Sequence, residues 1–356
     1  MEIQKELLVS AMKKALPGID AGSSVIIGAD TFIFTNGNIY TYNNDIGVTV
    51  HLDATMKDLT GSVRAMELYT LLNKLKEQVL KIQVLEDRWI LKSGNARIEI
   101  MYINSDVYNY ITKLFEEEFE WKVVPEAFFE LAKLGIFQGN TSTLSGICVK
   151  DNMMMSTDEQ RIQFSTFEPS MESYFWISDS SMKELLKMDG IKEYAIAKNQ
   201  SWVHFRTSDD VIFSCKLLQQ EAYPFAKIKK IVDEHVLEDG DVSGVLPSTL
   251  QEVVEKASVF SINVESFAVV KLTFSTNGIE VYAERSAGNY SEKVPWEVKP
   301  SKKFDAVLIN VDSNMVMNGL KQYKNFFIKT KGEGKAMTQH LVLYNEVSKQ
   351  IMSTLS

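Results

Sequence analysis

Apolar positions run along the chain in two alternating rhythms. The stretches EIQKELLVSAMKKAL, PEAFFELAKLGIF and PSTLQEVVEKAS carry apolar residues at helical spacing. In the second, Phe128, Leu131 and Ala132 form the stripe, Pro125 suits the first turn, and Glu126, Glu130 and Lys133 take the polar side. In the third, Leu250, Val253, Val254 and Ala257 oppose Glu252, Glu255 and Lys256. After each helix comes a meander of short β patterns, with Asn36-Gly37 and Asn277-Gly278 reading as tight hairpin turns. A second amphipathic helix follows, in RAMELYTLLNKLKEQ, DSSMKELLKMDG and DSNMVMNGLKQY, and further strand patterns close each stretch. Each third of the chain therefore reads helix, strands, helix, strands.

Such a unit is α+β, with two helices packed on antiparallel sheets. Its repetition predicts three similar domains. Two acidic stretches suit exposed connectors between them: Glu116, Glu117, Glu118 and Glu120, then Asp233, Glu234, Glu238, Asp239 and Asp241. The predicted divisions are 1–119, 120–237 and 238–356. Repeated units build an arc, and an arc whose ends meet head to tail closes into a ring.

The chain has 356 residues, 45% hydrophobic and 24% charged, an average globular composition that excludes disordered and collagenous classes. Glu2, Lys5 and Glu6 interrupt the N-terminal apolar pattern, so no secretory signal is expected. Ser261, Asn263, Glu265, Ser266 and Lys271 break the most apolar later stretch, so none is expected to span a membrane. Cys148 and Cys215 stand far apart without ligand-like neighbours, which fits a reducing cytoplasm rather than a disulfide or zinc framework. His51, His204, His235 and His340 lack metal-ligand spacing, and no nucleophile, phosphate-loop or dinucleotide motif is present. Asp151, Asp158 and Glu159 share one meander but read as surface charge. No catalytic residue, metal or cofactor is expected, and a non-enzymatic role is the reading.

The net charge of -9 argues at first against nucleic acid, but its distribution matters more than its sum. Lysine outnumbers arginine 32 to 6, which suits loose phosphate contact rather than base reading. Lys13, Lys74, Lys133, Lys183, Lys187, Lys256, Lys321 and Lys324 fall on or beside the polar sides of the six helices. Gathered on one surface they would form a sequence-independent DNA contact; the ordinary reading is a solvated face with glutamate partners.

Several segments together resemble the bacterial β-type sliding clamps of DNA polymerase, over essentially the whole chain. In VIFSCKLLQQEAYPFAKI, Phe213, Ser214, Leu217, Tyr223 and Pro224 match the strand and tight turn that end that family's second domain. Thr157, Asp158, Arg161 and Ile162 match its T-D-x-x-R-hydrophobic hairpin, and WISDSSMKELLKM resembles its second helix in the same domain. The resemblance implies the DNA polymerase III beta subunit's role: a homodimeric ring around double-stranded DNA with helices inside and sheets outside, tethering a replicative polymerase and opened by a clamp loader. It also implies a pocket for partner peptides, carried by position onto Leu144, Thr157, Arg161, Ile162, Pro224 and Ile228 and closed by Leu341, Val342 and Leu343. An apolar cleft with one fixed cation at its edge is expected; plain core packing of the same residues is the alternative.

The chain departs from that family in places. Glu159 stands where a glycine is common, Thr141 and Thr143 replace aromatic or basic residues, and Pro17 to Ser24 lacks the family's arginine. The tail after Asn345, EVSKQIMSTLS, is expected to hang free or dock over the cleft. The leading reading is a processivity factor. A clamp-like scaffold that binds partner peptides without being loaded on DNA is the alternative, and a trimer of two-domain clamps is disfavoured by the three similar segments.

Overall fold

The computed structural model describes residues 1–20, 25–114, 118–137, 142–237, 240–264, 267–300, 304–331 and 338–355. Glu116, Glu117, Glu238 and Asp239 of the acidic stretches, and Thr141, lie outside them.

The first stretch holds β1 (Glu2–Gln4), α1 (Lys5–Ala15), β2 (Thr31–Thr35), β3 (Asn38–Tyr42), β4 (Ile46–His51), β5 (Gly61–Arg64) and α2 (Ala65–Lys74). It continues through β6 (Val79–Val84), β7 (Arg88–Ser93), β8 (Ala96–Met101), α3 (Val107–Lys113) and β9 (Lys122–Val123). The second holds α4 (Phe128–Leu134), β10 (Ile147–Lys150), β11 (Met153–Thr157), β12 (Arg161–Thr166), β13 (Tyr174–Ile177) and α5 (Asp179–Leu185). It ends with β14 (Ile191–Ile196), β15 (Trp202–Thr207), β16 (Ile212–Lys216) and α6 (Phe225–Glu234). The third holds β17 (Val242–Val245), α7 (Leu250–Ser258), β18 (Ile262–Val264), β19 (Phe267–Ser275), β20 (Gly278–Arg285), β21 (Gly288–Val294) and β22 (Val307–Asp312). After α8 (Ser313–Leu320) it closes with β23 (Asn325–Lys331), β24 (Thr338–Tyr344) and β25 (Ser348–Ser353).

All six helices expected from periodicity form, and both Asn-Gly turns join paired strands. Local chemistry fixes several starts. Ser178 Oγ accepts from the Ser181 amide to begin α5, and the Asp312 carboxylate accepts from Met315 N at 2.9 Å to begin α8.

The chain divides into two compact units, each built from two separate stretches: 1–126 with 175–220, and 127–174 with 221–356. Unit 1 contains a four-stranded sheet ordered β1-β6-β7-β8 and an eight-stranded sheet ordered β5-β2-β3-β4-β16-β15-β14-β9, all antiparallel. Helices α1 and α2 lie side by side against it, burying Leu8, Met12, Leu68 and Leu72. Helix α3, which periodicity missed, packs over β3.

In unit 2 one sheet runs β10-β11-β12-β25-β24-β23-β17, and a second carries β18, β20 and β22 on β19 and ends at β21. Helices α7 and α8 share one core with strands of both sheets, including Val254, Leu272, Val281, Phe326 and Leu343. The tail differs from expectation. Ser348 to Ser353 form β25, paired on one side with β12 and on the other with β24, so it is interior sheet rather than a free or docking segment, and His340 lies in the strand before it.

Candidate functional site

The cleft residues belong to unit 2, and strand alternation decides how they are arranged. Thr157 pairs with Ile162, Ile162 with Ile351, Ile351 with Val342, and Val342 with Phe327. Directly paired residues share a face, so these five, all apolar but Thr157, make one row across the sheet. Helix α6 lies over this face. Its Phe225, Ile228 and Val232 are buried, and Lys349, two residues from Ile351, donates to Val232 O at 2.8 Å and His235 O at 3.0 Å. Pro224 caps α6, accepting from Ile228 N at 3.0 Å, and is half-buried, as are Leu144 and Ile162.

The same alternation turns the other predicted residues away. Leu341 and Leu343 lie on the opposite face, in the core shared with α7 and α8. There a β-carbon at Gly319 of α8 would come within 2.5 Å of Leu343 Cδ1, so the helix is packed directly on that side. Arg161 also points there. Its Nε donates to Asp158 Oδ2 at 2.7 Å, its guanidinium lies 4.0 Å from the Phe137 ring centroid, and the side chain is 5% exposed. The expected rim cation is therefore a buried, neutralised ion pair. The row's central apolar residue, Ile351, was missed because its strand was read as a tail. Helix α6 was missed because its acidic end was read as connector, although Phe225, Ile228 and Val232 after Pro224 carry a helical spacing.

All eight predicted DNA-contacting lysines are exposed. Three are engaged by neighbours on the chain: Lys133 with Glu130 at 2.6 Å, Lys187 with Glu184 at 2.6 Å, and Lys256 with Glu252 at 2.8 Å. Lys13, Lys74, Lys183 and Lys321 form no salt bridge with a described residue. Lys13, Lys74, Lys183 and Lys187 belong to unit 1, and Lys133, Lys256, Lys321 and Lys324 to unit 2.

Burial suppresses the ionisable chemistry. It pushes the Cys148 and Cys215 thiols well above their ordinary range, away from the reactive thiolate. It pushes His204 down to about 4, beside Ser214 Oγ at 2.8 Å. It also lowers His235, and lowers His340 to about 4. Those two rings meet edge to face with centroids 4.8 Å apart. Among the described residues no three His, Cys, Asp or Glu side chains gather as a metal site, and no helix is long and apolar enough to cross a membrane.

This architecture is that of the bacterial DNA sliding clamps. The chain is similar along its whole length to the DNA polymerase III beta chain of Streptococcus pneumoniae, at 17% identity and a TM-score of 0.78, with 100% of this chain and 99% of that one covered. It is likewise similar to the DNA polymerase sliding clamp of Bacillus subtilis, at 16% identity and 0.78, covering 100% and 98%. The DNA polymerase III beta subunit of Thermotoga maritima matches at 16% and 0.77, with the same coverage. No family model matches the chain, and no curated protein sequence does.

Proposed function

We propose that this chain is a non-catalytic sliding clamp: a head-to-tail homodimer that encircles double-stranded DNA in the cytoplasm and tethers a replicative polymerase. The observation that carries this reading is the full-length likeness to solved clamps, which leaves no part of the chain outside the shared fold. The division 1–119, 120–237 and 238–356 goes with it, supported by helix pairs that recur in each stretch.

Closure would use two sheet edges. Strands β8 and β21 each end a sheet, with one backbone edge that pairs with no strand among the described residues. Joining β8 of one copy to β21 of the next satisfies those amides and carbonyls and closes two chains into a ring. The exposed helix lysines then need only loose, sequence-independent phosphate contact, because a closed ring is retained by topology rather than by grip. Opening such a ring requires a clamp loader. Partner peptides would enter beside Leu144, Pro224 and Ile228, onto the row that Thr157 and Ile162 begin.

The test is retention. Loaded on nicked circular DNA, the protein is expected to stay bound and to leave promptly once the circle is linearised, and Ile162→Asp is expected to abolish polymerase stimulation while retention persists. Equal residence on circular and linear DNA would favour the unloaded scaffold.

A further inference from the structure

The peptide cleft of unit 2 has a charged edge, and its sign is opposite to the one expected. Arg161, the expected cation, points to the other face of the sheet and is neutralised by Asp158. The charge left beside the cleft is Glu159, exposed in the turn between Thr157 and Ile162. Its amide donates to Thr157 Oγ1 at 3.1 Å. Its Oε1 accepts from Ser142 Oγ at 2.8 Å, and the same hydroxyl accepts from Leu144 N at 3.0 Å. Glu159 is therefore tied directly to Thr157 and through one hydroxyl to Leu144, two residues assigned to the cleft.

The turn holds this carboxylate in place. Glu159 is left-handed at φ 72°, and Asp158 Oδ1 closes the turn by accepting from Gln160 N at 3.2 Å and Arg161 N at 2.9 Å. Glu159 forms no salt bridge with a described residue. A carboxylate can accept about four hydrogen bonds, so the bond from Ser142 leaves capacity for a further donor. The helix side of the cleft differs, because exposed Lys227 adjoins Ile228 on α6. A complementary cation is therefore called for at the turn end alone.

We propose that Glu159 is a specificity-determining residue of the cleft, which selects a partner peptide carrying a lysine or arginine next to the apolar residue that settles on Ile162. A basic side chain there meets an exposed carboxylate already oriented by Ser142, whereas an aspartate or glutamate meets a like charge. The inference rests on the proposed peptide cleft and adds the sign of the charge that its partners carry.

The test selects random short peptides displayed on phage against the full-length protein and keeps those that lose binding to Ile162→Asp. Lysine and arginine are expected to be enriched among them, and selection on Glu159→Lys is expected to enrich aspartate and glutamate instead. One selected peptide is then compared with a copy in which its basic residue is replaced by glutamate. The unaltered protein is expected to favour the basic form by about fivefold at low salt, the scale of one exposed ion pair. Glu159→Gln should bring that ratio toward one, and Glu159→Lys should invert it. Glu86→Lys makes the same change of net charge at an exposed residue of unit 1 and is expected to leave the preference intact. A ratio that ignores both Glu159 variants, or that shifts equally with Glu86→Lys, overturns the proposal. Peptides that depend on Ile162 but are indifferent to charge refute this inference alone, whereas finding none that depends on Ile162 refutes the cleft and the inference together.

Discussion

Arg161 and Asp158 form an ion pair inside unit 2, with Nε and Oδ2 2.7 Å apart and side chains 5% and 10% exposed. A buried pair stabilises little beyond a well-packed apolar substitute, yet losing one member strands the other charge. Asp158→Ala is expected to cost about 3–5 kcal/mol in denaturant unfolding. Asp158→Leu combined with Arg161→Met is expected to cost less than the single change, and the reverse order would refute a stranded-charge cost.

The buried histidines set an acid limit on stability. His204 has its folded value pushed below the ordinary 6.5 to about 4, so the unfolded chain takes up its proton first. Stability is complete above about pH 6.5 and falls as the pH drops toward 4, by on the order of 3 kcal/mol for His204 alone. His235 and His340 act in the same direction. Unfolding midpoints measured from pH 7.5 to 4.5 should show the decline, and His204→Gln should flatten it.

Strand β25 bonds to neighbours on both sides, with Ile351 opposite both Ile162 and Val342. Proline at 351 removes a ladder donor and forces the backbone apart. Ile351→Pro is expected to cost about 3 kcal/mol or more. Amide exchange should show the loss first in β12 and β24, and unchanged protection there would contradict the pairing.

The exposed lysines should act through salt. For protein loaded on DNA, replacing Lys13, Lys74, Lys183 and Lys321 with glutamine is expected to lower the slope of log affinity against log salt by about 1 for each lysine that meets a phosphate. Lys133, Lys187 and Lys256, already engaged by glutamates, should change it less.

The six helices and their order were legible because each has a polar and an apolar side, which one chain of letters displays. Helices α3 and α6 were not. Tyr108 and Tyr110 of α3 pack through aromatic faces, which blunts its contrast, whereas α6 has the contrast in Phe225, Ile228 and Val232 but ends in Asp233 and Glu234, which read as connector. The hairpin at Thr157 to Ile162 was visible as a motif, but the sides of the sheet to which Arg161, Leu341, Val342 and Leu343 point depend on the pairing of β25. That pairing joins residues such as Ser165 and Ser348, far apart in the chain, and nothing local signals it.

The place of β25 also sets a timetable. Unit 1 has all its residues once Gln220 is made, but β12, complete at Thr166, waits for its neighbour until Ser348 and beyond, roughly 180 residues or about 10–40 s at ordinary rates of synthesis. Throughout that interval Arg161 to Thr166 is a strand with an unfilled side, open to pairing with other chains. A newborn chain therefore spends much of its synthesis with one unit able to fold and the other held open, and a chaperone that shields that edge would raise its yield.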